Sequence, residues 1–403
     1  MSRSGVDGPP TLVGSRFVEH NPAMTLEPPA RRAPRTFGIE EEVILLEPGS
    51  LVPVDVADEV IAELVELESG MHWITHEFLR AQIEFSSPVL ADADAADRVV
   101  GEFRRAVAGA VARRGLIAAS TGTAFGTGRS ATAAGERYAR FVQELGAIHP
   151  DHRIQGLHVH VAVASREEGV RVMRALRPWL APLLALTANS PCFGAADTGF
   201  ASWRTIVGRR FTTASVPPEF ADAADYERRV RALIGLGATL DASSVFWMMR
   251  LAERYPTVEL RVFDAQLSAE ESVGVALLTR ALVESAAAGD LPHADAAAHA
   301  EHLDAAVWHA ARHGLDDVLV DPVTASIAPA RHVIGRLLDA VGPALDAAGD
   351  RERVEALIER LRTEGNGAAR QRAALAEGVP ALERLLRSTF AAPPRTPATP
   401  LVE

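Results

Sequence analysis

The run Phe37-Gly38-Ile39-Glu40-Glu41-Glu42-Val43-Ile44-Leu45-Leu46 sets three consecutive glutamates inside an otherwise apolar stretch. The stretch reads as a buried strand, and strand side chains alternate faces, so Glu40 and Glu42 point one way and Glu41 the other. Two carboxylates side by side on a half-buried face repel each other and are costly to desolvate unless a cation sits between them. A hard divalent ion answers that cost, since Mg²⁺ and Mn²⁺ take oxygen ligands. The plainer alternative is an edge strand carrying a solvated glutamate ladder.

The pattern recurs along the chain. Glu84 interrupts the apolar run Ala81-Gln82-Ile83-Glu84-Phe85, and Glu77 lies seven residues before it. In Thr257-Val258-Glu259-Leu260-Arg261-Val262-Phe263, Glu259 and Arg261 share one strand face. That pair reads either as a surface ion pair of little worth or as a metal ligand beside a guanidinium fork suited to a phosphoryl group. In Gly156-Leu157-His158-Val159-His160-Val161 both histidines project from one face. They suit a zinc site, two hydrogen-bonded core histidines, or one histidine completing an oxygen-rich metal site.

Composition narrows the chemistry. The chain contains no lysine, so all 41 basic residues are arginine. A P-loop lysine, a Schiff-base lysine and a lysyl-adenylate nucleophile are therefore excluded. Any phosphate charge must be met by metal ions and arginines. A formal net charge of −12 disfavours nucleic acid as a partner. No apolar run is long enough to span a bilayer, no signal peptide is evident at the N-terminus, and the single cysteine, Cys192, forms no internal disulfide. These features lead us to expect a cytoplasmic protein without a membrane partner, with a homo-oligomer left open.

We expect an α+β chain. Residues 1–34 and 391–403 are proline-bearing and aperiodic and read as disordered or loosely docked tails around one domain at 35–390. Strand signals fall at 36–46, 81–88, 116–121, 156–164 and 257–263. Helical signals fall at 92–114, with Ala95, Val99, Phe103, Val107 and Val111 on one stripe, at 166–186, and at 268–288 behind a Ser268/Glu271 capping box. From about residue 292 to 386 the chain reads as successive helices. Gly126-Thr127-Gly128-Arg129-Ser130-Ala131 brushes against a dinucleotide fingerprint without the βαβ context that it needs.

Taken in order, Gly38-Ile39-Glu40-Glu41-Glu42, the Glu77/Glu84 spacing, Gly156-Leu157-His158-Val159-His160-Val161, Asn189-Ser190-Pro191, Asp197-Thr198-Gly199 with Arg204, and Tyr255-Pro256-Thr257-Val258-Glu259-Leu260-Arg261 resemble the type 2 glutamate-cysteine ligases, which are ATP-dependent carboxylate-amine ligases. The resemblance runs from about residue 35 to 290 and implies a glutamine synthetase-like fold. In such a fold a curved antiparallel sheet forms the active-site face, helices flank it, and the C-terminal portion is helical. The resemblance maps Glu40, Glu42, Glu84, His158 and Glu259 to ligands of Mg²⁺ or Mn²⁺, and Glu77 to a further metal-side or catalytic carboxylate. It maps Arg261 to the ATP phosphates as a catalytic residue; in that reading His160 is the histidine touching ATP phosphate, and Arg204 and Arg250 are candidates to grip a substrate carboxylate bidentately.

The implied reaction joins L-glutamate or a similar carboxylate to L-cysteine or another amine. It runs through an acyl phosphate and releases ADP and phosphate. The chain departs from the family pattern at Met248 and at Ala124, both expected near the substrate pocket. A metal-dependent amide hydrolase and a non-catalytic ATP-binding homologue remain the alternatives.

Overall fold

In a computed structural model of the chain, residues 33–67, 73–293 and 295–393 are described. Most of each expected tail, residues 1–32 and 394–403, lies outside them.

The strands are β1 (Phe37–Leu46), β2 (Ile74–His76), β3 (Gln82–Ser86), β4 (Ile117–Ala119), β5 (Gly156–Ala162), β6 (Cys192–Phe193), β7 (Ala196–Asp197), β8 (Met249–Leu251), β9 (Thr257–Asp264), β10 (Val318–Asp321) and β11 (Ser326–Pro329). Seven of them form one sheet in the order β2-β3-β1-β5-β9-β8, with β4 added against the end of β1. Every pairing in it is antiparallel.

The alternation read from the sequence decides which face is covered. Ile39, Val43, Leu45, Ile83, Phe85, Leu157, Val159, Val161, Val258 and Leu260 are buried in one continuous core. The helices Ala93–Ala112 and Ala269–Ala288 pack on that side. The second of them is buried nearly all round, and its start is fixed by the Ser268/Glu271 capping box. The other face of the sheet carries Glu40, Glu42, Glu84, Glu259 and the histidines, whereas Glu41 lies on the core side.

Three local expectations are corrected. The run 166–186 is two helices, Arg166–Leu176 and Leu180–Thr187, because Pro178 cannot continue the hydrogen-bond ladder and a 3-10 turn intervenes. The buried stripe of Ala93–Ala112 keeps Phe103, Val107 and Val111 but runs through Ala96 and Val100; Ala95 and Val99 are only half-buried. The C-terminal third is interrupted by the hairpin β10–β11, whose turn bends at Ala325 in the left-handed region (φ 52°). The stretch 126–131 opens no helix, and its Gly126 and Gly128 carbonyls accept from Arg153 at 2.9 and 2.7 Å.

Candidate functional site

The register of the sheet lays the polar residues out as a diagonal row. Thr75 of β2 sits opposite Glu84 of β3, and Glu84 opposite Glu42 of β1. Glu40 of β1 faces His158 of β5, His160 faces Glu259 of β9, and Glu259 faces Arg250 of β8. Like charges directly opposite across two strands are destabilising. The Glu42/Glu84 pair therefore costs stability until something positive lies between them.

A bulge sharpens the row. Leu157 pairs with Phe263 but Val159 pairs with Leu260, so the single residue His158 opposes both Arg261 and Val262. The extra residue on β9 resets its alternation. Arg261 lies against His158 (3.4 Å), and Asp264 approaches Arg204 (3.8 Å). Asp264 is fully buried and accepts from Asn189 N at 2.8 Å, Ser190 Oγ at 2.7 Å and Ser202 Oγ at 2.9 Å. It thereby ties the Asn189-Ser190-Pro191 segment and the start of the Trp203–Gly208 helix to the end of β9.

One ligand atom each from Glu40, His158 and Glu259 lies within 4.8 Å of the other two, a spacing that one ion can bridge. His158 Nδ1 is 3.2 Å from Glu40, and its Nε2 is 3.8 Å from Glu42. Glu42 also accepts from the Gly156 amide at 2.7 Å. His160 Nδ1 sits 3.1 Å from Thr257 Oγ1, while its Nε2 approaches Glu40 at 3.3 Å without hydrogen-bond geometry.

The carboxylates divide electrostatically. Burial works against ionisation of Glu259, yet Arg261 and Arg250 hold its carboxyl well below the usual range. Burial likewise opposes ionisation of Glu40, which the hydrogen bond with His158 and the nearby His160 ring overcome. At Glu84 burial, Glu40 and Glu42 outweigh the Thr75 hydroxyl (3.2 Å) and Arg261 and push the carboxyl up to about 8. Glu77 is raised well above the carboxylate range by burial and then by Glu42 and Glu84. Burial and Arg261 both lower His158, which favours the neutral ring that a metal requires. Oxygen donors, a neutral imidazole and two carboxyls that resist ionisation fit a hard divalent ion.

The side chains assigned to the site from sequence meet around two adjoining cavities. The larger, about 390 Å³, is lined by Glu40, Glu42, Glu77, Glu84, His158, His160, Arg250, Glu259 and Arg261. Arg204 lines the smaller, about 100 Å³, which shares Glu42, Glu77, His158 and Arg261 with the first.

The two arginines expected to grip a carboxylate differ in their surroundings. The fork of Arg250 is filled by Glu259 (2.7 and 3.2 Å), and its remaining nitrogen donates to the carbonyls of Ser243 and Val245. Its place is thus the orientation of Glu259. Arg204 donates to the Arg261 carbonyl at 3.1 Å and keeps a buried Nε without a partner. Met248 lines the smaller cavity, whereas Ala124 is buried in a satellite core cluster away from either lining. Cys192 is buried as well, and burial raises its thiol to about 12, which leaves it an inert packed side chain.

Sequence reasoning missed Asp264, whose place depends on the bulge. It also missed the rings of Phe78, Phe141, His152, Phe211 and Phe246 around the cavities; four come from loops without a period, whereas Phe141 lies on the helix Glu136–Leu145, whose stripe Tyr138, Phe141, Val142 and Leu145 was a signal that could have found it.

The family model for glutamate-cysteine ligase family 2 matches residues 36–388. The chain is 39% identical over 360 residues to a putative glutamate-cysteine ligase 2-2 of Frankia alni, covering 85% of this chain and 93% of that protein. It is 38% identical over 365 residues to one of Saccharopolyspora erythraea, covering 88% and 91%. Among solved structures it resembles the glutamate-cysteine ligase of Francisella tularensis in complex with AMP, at a TM-score of 0.65 and 14% identity over 90% of both chains. It also resembles a bifunctional glutathione synthetase of Pasteurella multocida, at a TM-score of 0.58 and 15% identity over 89% of this chain and 52% of that one. The fold is of the glutamine synthetase-like type.

Proposed function

Because the chain belongs to glutamate-cysteine ligase family 2, we propose that it is an ATP-dependent carboxylate-amine ligase of the glutamate-cysteine type, acting on L-glutamate or a similar acid and on L-cysteine or another amine. The observation that carries this reading is the meeting of the Glu40/His158/Glu259 donor cluster, Arg261 and two cavities at one place on the sheet. A hydrolase needs only the metal and one substrate space. A ligase needs room for a nucleotide, an acid and an amine around a single charged centre.

Mg²⁺ or Mn²⁺ held by Glu40, His158 and Glu259, with Glu42 and Glu84 beside them, supplies neutralisation of the ATP phosphates when bound. The substrate carboxylate oxygen forms a bond to the γ-phosphorus as the bond from that phosphorus to the β-bridging oxygen breaks, and ADP leaves. Arg261 faces the charge that spreads over the transferring phosphoryl group, and His160 faces the phosphates from the same wall. Arg204 offers its unpartnered donor to a carboxylate of the acid. The amine nitrogen then bonds to the acyl carbon, the bond to the phosphate oxygen breaks, and phosphate departs with the electron pair. Glu77, ionised once a bound cation offsets Glu42 and Glu84, takes the proton that the amine loses, a task suited to a carboxyl whose basicity burial raises. Residues 35–390 form the catalytic domain, and a reaction fed by ATP places the enzyme in the cytoplasm.

Phosphorus NMR of the turnover mixture tests the reading. It predicts ADP and orthophosphate in step with amide formation. AMP and pyrophosphate as the dominant products contradict the acyl-phosphate route, and amide hydrolysis without nucleotide consumption contradicts the ligase.

A further inference from the structure

Two segments of the chain, 211–215 and 246–248, each face two ways. Phe211, Ala214, Phe246 and Met248 line the smaller cavity of the site, whereas Thr212, Thr213, Ser215 and Trp247 line a third cavity of about 610 Å³. The wall between the two is thus a single layer of chain, and hydrogen bonds hold it together. Phe246 N donates to Thr213 Oγ1 at 3.0 Å, and Met248 N donates to the Ser215 carbonyl at 2.9 Å. The Met248 carbonyl in turn accepts from Arg261 N at 2.8 Å. Two bonds therefore link the lining of the third cavity to the backbone of the arginine that faces the phosphates.

The third cavity is apolar over most of its wall, with Val216, Pro217, Leu233, Trp247 and Leu303, and it holds two arginines, Arg177 and Arg229. Arg177 is buried, at 5% exposure. Its Nε donates to the Pro217 carbonyl at 2.9 Å, and its Nη1 reaches Glu219 at 3.4 Å, a carboxylate that it shares with Arg174 at 3.3 Å. Arg229 Nη1 donates to the Glu219 carbonyl at 2.7 Å and lies 3.8 Å from Asp225. The Nη2 of neither arginine makes a hydrogen bond among the described residues. Asp304, the acid in the lining, is taken up by Arg209. Burial, and after it the charges of Arg174 and Arg229, lowers the Arg177 pKa in spite of Glu219. A buried cation so incompletely answered gains from an anion that brings its own apolar body into the cavity.

We infer that this third cavity is an effector site for a small monocarboxylate with an apolar aromatic or branched body, held by Arg177 and Arg229 and felt at the active site through Ser215, Met248 and Arg261. The inference goes beyond the ligase reading, and binding at this cavity does not depend on it. Small-molecule sites commonly enclose about 300–1,000 Å³, with apolar walls and a few convergent polar groups, and the third cavity has both the size and that make-up. A monoanion suits it better than a phosphate dianion, because the carboxylates of Glu219 and Asp225 remain close to the two arginines.

The test is calorimetric titration of the full chain with 4-phenylbutyrate, with 4-phenylbutyramide as its uncharged twin. The expected result is one saturable site with a Kd of about 1 mM or tighter for the carboxylate and binding at least about 10-fold weaker for the amide. Leu236 and Ala232 are exposed residues of the lining, so substitution there spares the core. Leu236→Glu sets a repelling carboxylate at the rim, Ala232→Trp fills the space, and each should weaken 4-phenylbutyrate about 10-fold or more. Titration of Mg·ATP with and without saturating 4-phenylbutyrate should show an affinity shift of about 5-fold or more, matched by the same factor for the probe when Mg·ATP is present. Ala232→Trp should remove that shift.

No saturable binding of 4-phenylbutyrate, or equal binding of its amide, overturns the anion site. Undiminished binding in both Leu236→Glu and Ala232→Trp also overturns it, by placing the probe elsewhere. Binding at the cavity with an unchanged Mg·ATP affinity overturns the effector role. Absence of amide product from any acid and amine would remove the ligase reading and leave these titrations to judge the third cavity by themselves.

Discussion

Glu41 and Glu42 are neighbours on one strand, and both are largely enclosed, with side-chain exposures of 1% and 12%. On the core side Glu41 receives Arg104 through two hydrogen bonds of 3.0 and 2.8 Å. Arg104 spends its other donors on the carbonyls of Gln266 and Leu267, both at 3.0 Å, and of Phe390 at 3.3 Å. Every charge there has an answer. On the opposite face Glu42 looks across at Glu84 and toward Glu77, and burial followed by carboxylate repulsion pushes Glu84 and Glu77 upward in pKa. Burial of a charge therefore does not by itself mark function in this sheet. What separates the two faces is whether the protein itself neutralises what it buries.

The comparison breaks most forcefully on the core side. Arg104→Met strands Glu41 without a partner and should cost about 3–5 kcal/mol of stability in urea denaturation. The double variant Arg104→Met/Glu41→Leu should recover most of that loss, because an apolar pair of similar volume replaces a buried ion pair at little net cost. If the double variant is no more stable than the single one, the pair is not the self-contained unit described.

On the site face the expectation reverses, with little change in stability and a large change in turnover. Arg261→Lys keeps the charge but loses the planar fork. Its kcat should fall by about 10² while stability stays within about 1 kcal/mol. Full activity in Arg261→Ala would leave this arginine without a catalytic role.

The difference between the faces was legible where strand alternation governs it. The Glu40/Glu42 face, the opposed Glu41, the same-face pair Glu259 and Arg261, and His158 with His160 all follow from a period of two. The partner of Glu41 was not legible, since Arg104 lies on a helical stripe that reads as apolar in register with Val100, Phe103 and Val107. Asp264 escaped because the bulge opposite His158 shifts the alternation by one residue. Four of the rings around the cavities escaped because loops carry no period, and the β10–β11 hairpin because four-residue strands are too short to stand out from their helical surroundings.

A pH-dependent effect sharpens the contrast. The folded-state pKa of Glu84 is raised to about 8, so its ionisation costs stability above that pH, and the cost disappears below the ordinary carboxylate value. Metal-free protein should therefore lose stability as pH rises from about 5 to about 8.5. Glu84→Gln should remove roughly 4 kcal/mol of that loss at the alkaline end and little at the acid end. Identical pH profiles for the two proteins would show that the Glu42/Glu84 repulsion is not present.

The most direct test of the central claim, that the site face holds carboxylates awaiting a divalent ion, is calorimetric titration of Mn²⁺ at pH 7 in two buffers of different ionisation enthalpy. The account predicts one saturable class of sites or more, release of about one proton per protein from the raised carboxyls, and a large loss of affinity in Glu40→Gln. Binding with no proton release, or wild-type affinity in Glu40→Gln, would contradict it.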